Sequence, residues 1–247
     1  MSPHGPTDVD EEPDATTTPA FPESRHVLEP GCARCPALVE ARECISWGTG
    51  SLEASVVVVG EAPGYGNPEA DRWRGGNWTG KAYTSRHSGR RIRRLLERLG
   101  YDDAYYTNAV KCFPASEAPR ASSASSDPEE STSNREPTDE ERANCRGHLL
   151  TEVETIDPDV VLATGKHATS TVLAAEGRDL EGFLETVLEP VACDRLETWL
   201  VPILHPSYQD VWIGRLGYEP EEYREAIGET IATCLETSLD GKAGDRK

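Results

Sequence analysis

Several features are scarce or missing in this sequence, and each shortage excludes a class of protein. No stretch reaches the roughly 18–20 apolar residues needed to span a bilayer, and the N-terminus lacks the basic-then-apolar pattern of a signal peptide. We therefore expect a soluble cytoplasmic protein with no membrane partner. In a reducing cytoplasm its seven cysteines are expected to be metal ligands or buried thiols, not disulfides.

Positive charge is also scarce. Acidic residues outnumber basic residues 44 to 25, the formal net charge is −19, and only 5 of the basic residues are lysine. Such a balance disfavours nucleic acid as a partner, because binding rests on neutralising phosphates. Proteins that work in molar salt are an exception, since salt screens surface charges beyond a few ångströms. The composition fits a halophilic cytoplasm, which predicts a loss of stability or activity at low ionic strength.

Low-complexity segments flank and interrupt a single patterned domain. Residues 1–27 are rich in Pro, Thr, Asp and Glu and predict a disordered acidic tail. Residues 116–134 form a Ser-rich acidic insertion with no face to bury, and patterned sequence resumes on both sides. The chain length suits one domain, which we place at residues 28–237, followed by a C-terminal tail at 238–247.

Strand-like runs alternate with helical patterns in this domain. Helices are predicted over Ser88–Leu99 with Ser88 as N-cap, over Thr138–Ile156 behind a Thr-x-x-Glu capping box, and over Lys166–Glu176. The β-rich runs are Ser55–Gly60, Tyr105–Val110, Val160–Thr164 and Trp199–Leu204. This alternation predicts an α/β fold, a three-layer α/β/α sandwich with a central, mainly parallel four-stranded sheet.

Four of the cysteines follow a metal-binding pattern. Cys32 and Cys35 form a C-x₂-C pair, while Cys112 and Cys145 each lie beside a predicted core element. Four thiolates suit either a tetrahedral zinc site or an iron–sulfur cluster, and spacing alone does not separate the two. The remaining cysteines are expected to be buried thiols without a metal: Cys44, Cys193 and Cys234.

Three polar residues each follow a different predicted strand. Glu61 lies in GEAPGYG (60–66), Asn108 closes the second strand, and His205 ends the fourth. Ligands of open α/β sheets bind at the carboxyl ends of strands, so this convergence favours a binding site. An amide such as Asn108 can accept from a ring N–H while donating to a carbonyl, the pattern that distinguishes uracil from cytosine.

A basic segment stands out in this acidic chain. Residues 72–98 contain nine Lys/Arg and one acid, Glu97. The Leu/Ile face of the predicted helix points inward, so several arginines must face outward, near a helix start that also favours phosphate. We expect a surface that binds a polyanion; the alternative is a solvated face that balances nearby acids.

Taken in order, these motifs resemble the uracil-DNA glycosylase superfamily, most closely its iron–sulfur branch, family 4, with family 5 as near alternative. The ordered set is highly specific, and with the acidic composition it indicates a haloarchaeal member. The matching segments are CARC (32–35), VVVVGEAPG (56–64), TGKAYTSRHSG (79–89), TNAVKCFP (107–114), the helix through Cys145, PDVVLATGKHA (158–168) and PILHPS (202–207).

The resemblance implies a role for each matching residue. It places Glu61 at the functional acid, Tyr83 at the aromatic that stacks on the flipped base, Asn108 at the uracil-reading amide and His205 beside uracil O2. The cysteines implied to hold a [4Fe–4S] cluster, with zinc as the less favoured occupant, are Cys32, Cys35, Cys112 and Cys145. Further residues expected to line the substrate site are Gly60, Ala62, Pro63, Gly64, Tyr65 and Ser207, and those expected to bind DNA are Arg86, Arg90 and Arg91.

The implied activity is that of a monofunctional enzyme that removes uracil from DNA and leaves an abasic site in base excision repair. No lysine occupies a motif position suited to Schiff-base attack. Alternatives are a non-catalytic iron–sulfur DNA-binding member of the fold, or a glycosylase for a wider set of deaminated bases. Tyr65 departs from the family 4 pattern, and we expect its ring to block a thymine methyl. We further expect a nucleoid-associated monomer whose tail contacts a replication or repair protein.

Overall fold

The computed structural model describes residues 21–116 and 134–237. The predicted tails and insertion therefore lie outside the described residues, except at their borders. Residues 21–27, which we assigned to the disordered tail, are packed on the domain instead: Lys81 Nζ donates to the carbonyl oxygen of Pro22 (2.7 Å), and His26 N donates to that of Gly48 (2.8 Å). The folded domain thus begins before residue 28.

The central sheet has five strands, one more than predicted. They are β1 (Val56–Gly60), β2 (Tyr105–Asn108), β3 (Val160–Thr164), β4 (Val191–Cys193) and β5 (Thr198–Ile203), in the order β2-β1-β3-β5-β4. The four predicted strands are parallel to one another, and β4 pairs antiparallel with β5 at the edge. The prediction missed β4 because a three-residue edge strand is too short to show a period.

Seven α-helices occur in the described residues. They are α1 (Pro36–Ala41), α2 (Gly76–Thr79), α3 (Ser88–Arg98), α4 (Asp139–Ile156), α5 (Lys166–Ala175), α6 (Gln209–Trp212) and α7 (Pro220–Glu236). The capping box of α4 is confirmed, since Thr138 Oγ1 accepts from Glu141 N (3.2 Å). Ser88 is not the N-cap of α3: the hydroxyl of Ser85 accepts from Gly89 N (3.0 Å) instead. None of these helices is long and apolar enough to cross a membrane.

The sheet separates two layers of helices, which confirms the three-layer sandwich. Val56 and Val58 of β1 pack in one core with residues of α3 and α7, whereas Val57 and Val59 pack in another with residues of α4 and α5. Every residue of β1 is buried, as expected where both faces of a parallel strand are covered. The carboxyl ends of β1, β2, β3 and β5 are thereby left at one edge of the sheet.

Candidate active site

The predicted polar residues meet in one inner pocket at this edge. Glu61 follows β1, Asn108 ends β2 and His205 follows β5, and all three line a cavity of about 30 Å³ together with Tyr83. Four more of the predicted substrate-site residues contribute backbone or small side chains to the same wall: Gly60, Ala62, Pro63 and Gly64. Four residues from separate parts of the sequence are therefore brought together as expected.

The inner pocket opens into a much wider cleft of about 970 Å³. Glu61 and His205 line both spaces, so they stand where the two meet. Of the residues expected in the substrate site, Tyr65 and Ser207 line the cleft but not the inner pocket. The ring of Tyr65 lies against Trp78, with ring centres 5.3 Å apart. The cleft, and not the inner pocket, has the volume of a typical small-ligand site.

Two opposing effects act on the carboxyl group of Glu61. Burial raises the pKa of its carboxyl, whereas the nearby imidazole of His167 lowers it. Glu61 Oε2 is 4.0 Å from His167 Nε2, which is itself 3.2 Å from the exposed carboxylate of Glu136. The sequence reasoning did not assign a role to His167, although it follows β3 just as the other site residues follow their strands. Its position just after β3 is the feature of the sequence that could have identified His167.

Asn108 presents an unused donor to the pocket. Its Nδ2 is buried and has no hydrogen-bond partner among the described residues. Leaving such a donor unpaired costs about 1–3 kcal/mol, a cost that a ligand carbonyl would remove. The end of β2 is fixed by a buried lysine. Lys111 donates from Nζ to the carbonyl oxygen of Asn108 (2.7 Å) and forms an ion pair with Glu152. Gly60 leaves room for the amide, since a Cβ there would lie 2.4 Å from Asn108 Oδ1.

Tyr83 is locked in an uncommon backbone conformation. Its φ of 52° lies in the left-handed region, which typically costs a non-glycine residue about 1–3 kcal/mol. The hydroxyl is hydrogen-bonded to Thr164 Oγ1 (2.6 Å), and Arg93 Nε donates to the Tyr83 carbonyl oxygen (3.0 Å). Arg93 therefore points into the protein, with its guanidinium 3.8 Å from the ring centre of Tyr106, and burial lowers its pKa to about 10.

His205 is a neutral imidazole in this setting. Burial lowers its pKa to about 4, so the ring carries no charge at pH 7. The backbone N–H of Ser207 donates to His205 Nδ1 (3.2 Å). Nδ1 is thus the unprotonated nitrogen, and the proton of the neutral ring is on Nε2. The residues that line the pocket consequently include a neutral N–H donor and a partly buried carboxylate.

The four predicted metal-binding cysteines also meet. Cys32, Cys112 and Cys145 are buried in a small third core with Leu38, and Cys35 packs against it. Burial raises the pKa of Cys145 to about 11, so without a metal its thiol stays protonated at neutral pH. Of the other cysteines, Cys193 and Cys234 are buried in the main cores as predicted, whereas Cys44 is only partly buried and its thiol donates to the carbonyl oxygen of Trp78.

Each of the four sulfurs accepts a hydrogen bond. The donors are Arg34 Nη1 for Cys32 (3.8 Å), Asn144 Nδ2 for Cys35 (3.5 Å), Arg42 Nη1 for Cys112 (3.0 Å) and Lys111 N for Cys145 (3.4 Å). N–H donors around sulfur stabilise thiolate ligands, so this set fits a four-cysteine cluster or zinc site. Glu29, Cys32 and His148 also lie within 4.8 Å of one another, but Arg34 already donates to both Glu29 and His148.

The predicted DNA-binding arginines lie beside the cleft. Arg86 lines both the cleft and a groove between α3 and α7, and Arg90 and Arg91 line the groove. Arg91 is tied to the loop after β5, since it donates to the carbonyl oxygen of Pro206 (2.8 Å) and to Asp210 (2.6 Å). Arg86 and Arg90 form no ion pair within residues 21–116 and 134–237.

Comparison with known proteins shows which family this chain resembles in sequence. The sequence profile of the Uracil DNA glycosylase superfamily matches residues 47–227. The chain is 31% identical over 184 residues to a Type-4 uracil-DNA glycosylase of Thermotoga maritima, covering 72% of this chain and 77% of that protein. It is 30% identical over 236 residues to a Type-5 uracil-DNA glycosylase of Pyrobaculum aerophilum, covering 83% and 90% respectively. A Type-4 protein of the same organism is 29% identical over 158 residues.

Proposed function

This chain belongs to the uracil DNA glycosylase superfamily, and we propose that it hydrolyses the N-glycosidic bond of uracil in DNA to leave an abasic site. The observation that carries the proposal is the inner pocket, where the unpaired amide donor of Asn108 shares a cavity with Glu61 and neutral His205. Curated relatives of both Type 4 and Type 5 bear the corresponding name.

Asn108 supplies the base discrimination in this proposal. Its Nδ2 donates to uracil O4, and its Oδ1 accepts from N3–H. Cytosine presents an amino donor and a ring acceptor at these positions, so both contacts become repulsive. Because the donor has no protein partner, a wrong base leaves it unsatisfied in a buried site. The buried ring of Tyr83 forms the stacking wall for the extruded base.

Water is the nucleophile in the proposed reaction. Its oxygen bonds to C1′ of the sugar while the bond from C1′ to N1 of uracil breaks, and uracil leaves with the electron pair. Ionised Glu61 orients the water, accepts its proton and stabilises the positive charge on the sugar. Neutral His205 donates from Nε2 to O2 of the departing base, where negative charge develops. The abasic site then passes to the next step of base excision repair.

We further propose that the enzyme is monofunctional and that its four cysteines hold a [4Fe–4S] cluster, with zinc as the alternative. Lys166 lines the outer cleft but not the inner pocket, which supports water over an amine as nucleophile. When bound, the cluster ties the CARC segment to α4 and to the residues after β2. Arg86, Arg90 and Arg91 face the DNA, and the charge of −19 suits activity in concentrated salt.

The experiment is single-turnover excision from a fluorescent oligonucleotide that carries one uracil, with alkali cleavage at abasic sites. Glu61→Gln and Asn108→Ala are each expected to slow excision by about 100-fold or more, in line with the loss of a general base or a buried contact. Glu53→Gln is the matched control, because this exposed acid precedes β1 at the far edge of the sheet. Circular dichroism verifies the fold. Wild-type rates in both site variants would overturn the assignment.

A further inference from the structure

A second concave surface runs between α3 and α7, outside the site already described. This groove has a volume of about 730 Å³ and is lined by α3 on one side and by the start of α7 on the other. Six arginines line it: Arg86, Arg90, Arg91, Arg94, Arg98 and Arg224. In a chain with a net charge of −19, such a concentration of cations calls for a physical explanation.

The arrangement of these arginines is unfavourable without a partner. Arg90, Arg94 and Arg98 recur at every fourth residue of α3, the spacing that aligns side chains along one face of a helix, and Arg86 lies just before the helix. Like charges at this spacing destabilise an isolated helix by about 0.2–0.5 kcal/mol per pair. Within the part of the chain that the structure describes, none of the four forms an ion pair. The Nε of Arg94 is also buried with no hydrogen-bond partner there.

The groove is continuous with the cleft above the inner pocket. Arg86, His87 and Ser207 line both spaces. A polymer bound in the cleft can therefore extend into the groove, beside its row of guanidinium groups. Guanidinium groups match phosphate oxygens in charge and in hydrogen-bond geometry.

We propose that this groove binds the phosphate backbone of the DNA that flanks the extracted nucleotide on one side. The inference rests on the proposed function and extends it from the base to the DNA flank. At about 1.5 Å per helical residue, Arg90 and Arg98 are separated by about 12 Å along α3. Phosphates of one strand recur about every 3.4 Å along duplex DNA, so the row spans about three or four of them.

The test uses oligonucleotides with one uracil and a flank of zero to eight nucleotides, lengthened on the 5′ side or the 3′ side separately. Dissociation constants are measured with Glu61→Gln full-length protein, which preserves the substrate. We expect affinity to rise with length on one side only and to level off near four nucleotides. In the double variant Arg94→Gln/Arg98→Gln, that gain is expected to disappear, and the slope of log K against log [KCl] should fall by about 1.5.

Arg178→Gln/Arg195→Gln is the matched control. It removes the same charge from residues whose side chains bond to backbone carbonyls of β4 and α5 and which do not line the groove or the cleft. In this control variant, the affinity for DNA is expected to rise with flank length as it does in the protein with an intact groove. In the otherwise wild-type protein, the groove variant should keep the excision rate at saturating substrate, because neither residue lines the inner pocket.

An unchanged flank dependence in the groove variant would overturn the inference. If that variant also bound an acidic peptide that copies residues 1–20 more weakly than wild type, the groove would be a peptide site. Absence of excision by wild-type protein would instead refute the proposed function, and the binding measurements would still report on the groove.

Discussion

Lowering the pH should destabilise this protein through His205, because the folded state holds that ring neutral. Burial lowers the pKa of His205 to about 4, compared with about 6.5 for an exposed histidine. Between these two values the unfolded chain binds a proton that the folded protein rejects. The contribution of the neutral ring to the free energy of unfolding is therefore at its maximum above pH 6.5. It decreases as the pH drops to about 4 and is constant below that.

The size of this effect follows from the two pKa values. One pKa unit corresponds to about 1.4 kcal/mol, so a difference of about 2.5 units is worth about 3.5 kcal/mol in full, of which about 3 kcal/mol appears between pH 8 and pH 4. That is a large share of the 5–15 kcal/mol that typically stabilises a domain. Between pH 5 and 8 the imidazole of the folded protein stays neutral, so the excision rate should show no step from its protonation in that range.

Urea unfolding at constant high salt, followed by circular dichroism from pH 4 to 8, measures the effect. The free energy of unfolding of wild-type protein should lose about 3 kcal/mol more than that of His205→Asn over this range. Burial also lowers the pKa of His148, but that contribution is common to both proteins and cancels. Exposed His87→Asn serves as the control and should behave as wild type. Equal slopes in wild type and His205→Asn, or an NMR titration of the ring near 6.5, would refute the reasoning.

Three further predictions follow from single contacts. Tyr83→Phe keeps the ring but removes the hydrogen bond to Thr164, so thermal unfolding should report a loss of about 1 kcal/mol while excision persists; loss of excision would show that the hydroxyl acts in the reaction. Cys145→Ser should abolish the visible absorbance of the proposed cluster and lower the melting temperature, and unchanged absorbance would place the chromophore elsewhere. Excision in the presence of sodium borohydride should trap no protein–DNA adduct; an adduct that disappears in Lys166→Ala would make the amine the nucleophile.

Much of the fold and the site was predictable because parallel strands impose strong patterns. Val56–Gly60 is buried on both faces, which leaves a continuous apolar run in the sequence. Parallel strands also place their carboxyl ends at one edge, so polar residues after different strands had to meet. Glu61, Asn108 and His205 do so in the inner pocket. The ordered motifs were sufficient to identify the family.

The remaining features depend on contacts that a sequence pattern does not encode. Tyr65 lines the outer cleft and not the inner pocket, and its ring lies against Trp78. Arg93 points inward onto Tyr106, although the nearby arginines Arg90, Arg91 and Arg94 line the surface groove. His167 comes within 4.0 Å of Glu61 only because α5 begins directly at the end of β3. Each depends on side-chain direction within a short segment, which periodicity does not report.

Single-turnover release of free uracil is the direct test of the proposed hydrolysis. Wild-type protein at high KCl is mixed with oligonucleotides that carry uracil opposite guanine, opposite adenine or unpaired, with thymine in place of uracil as the control. We predict stoichiometric free uracil and an equal yield of alkali-labile sites, with thymine left in place. Tight binding of uracil-containing DNA without release of base would show that the protein does not hydrolyse the bond, and would favour a non-catalytic DNA-binding protein.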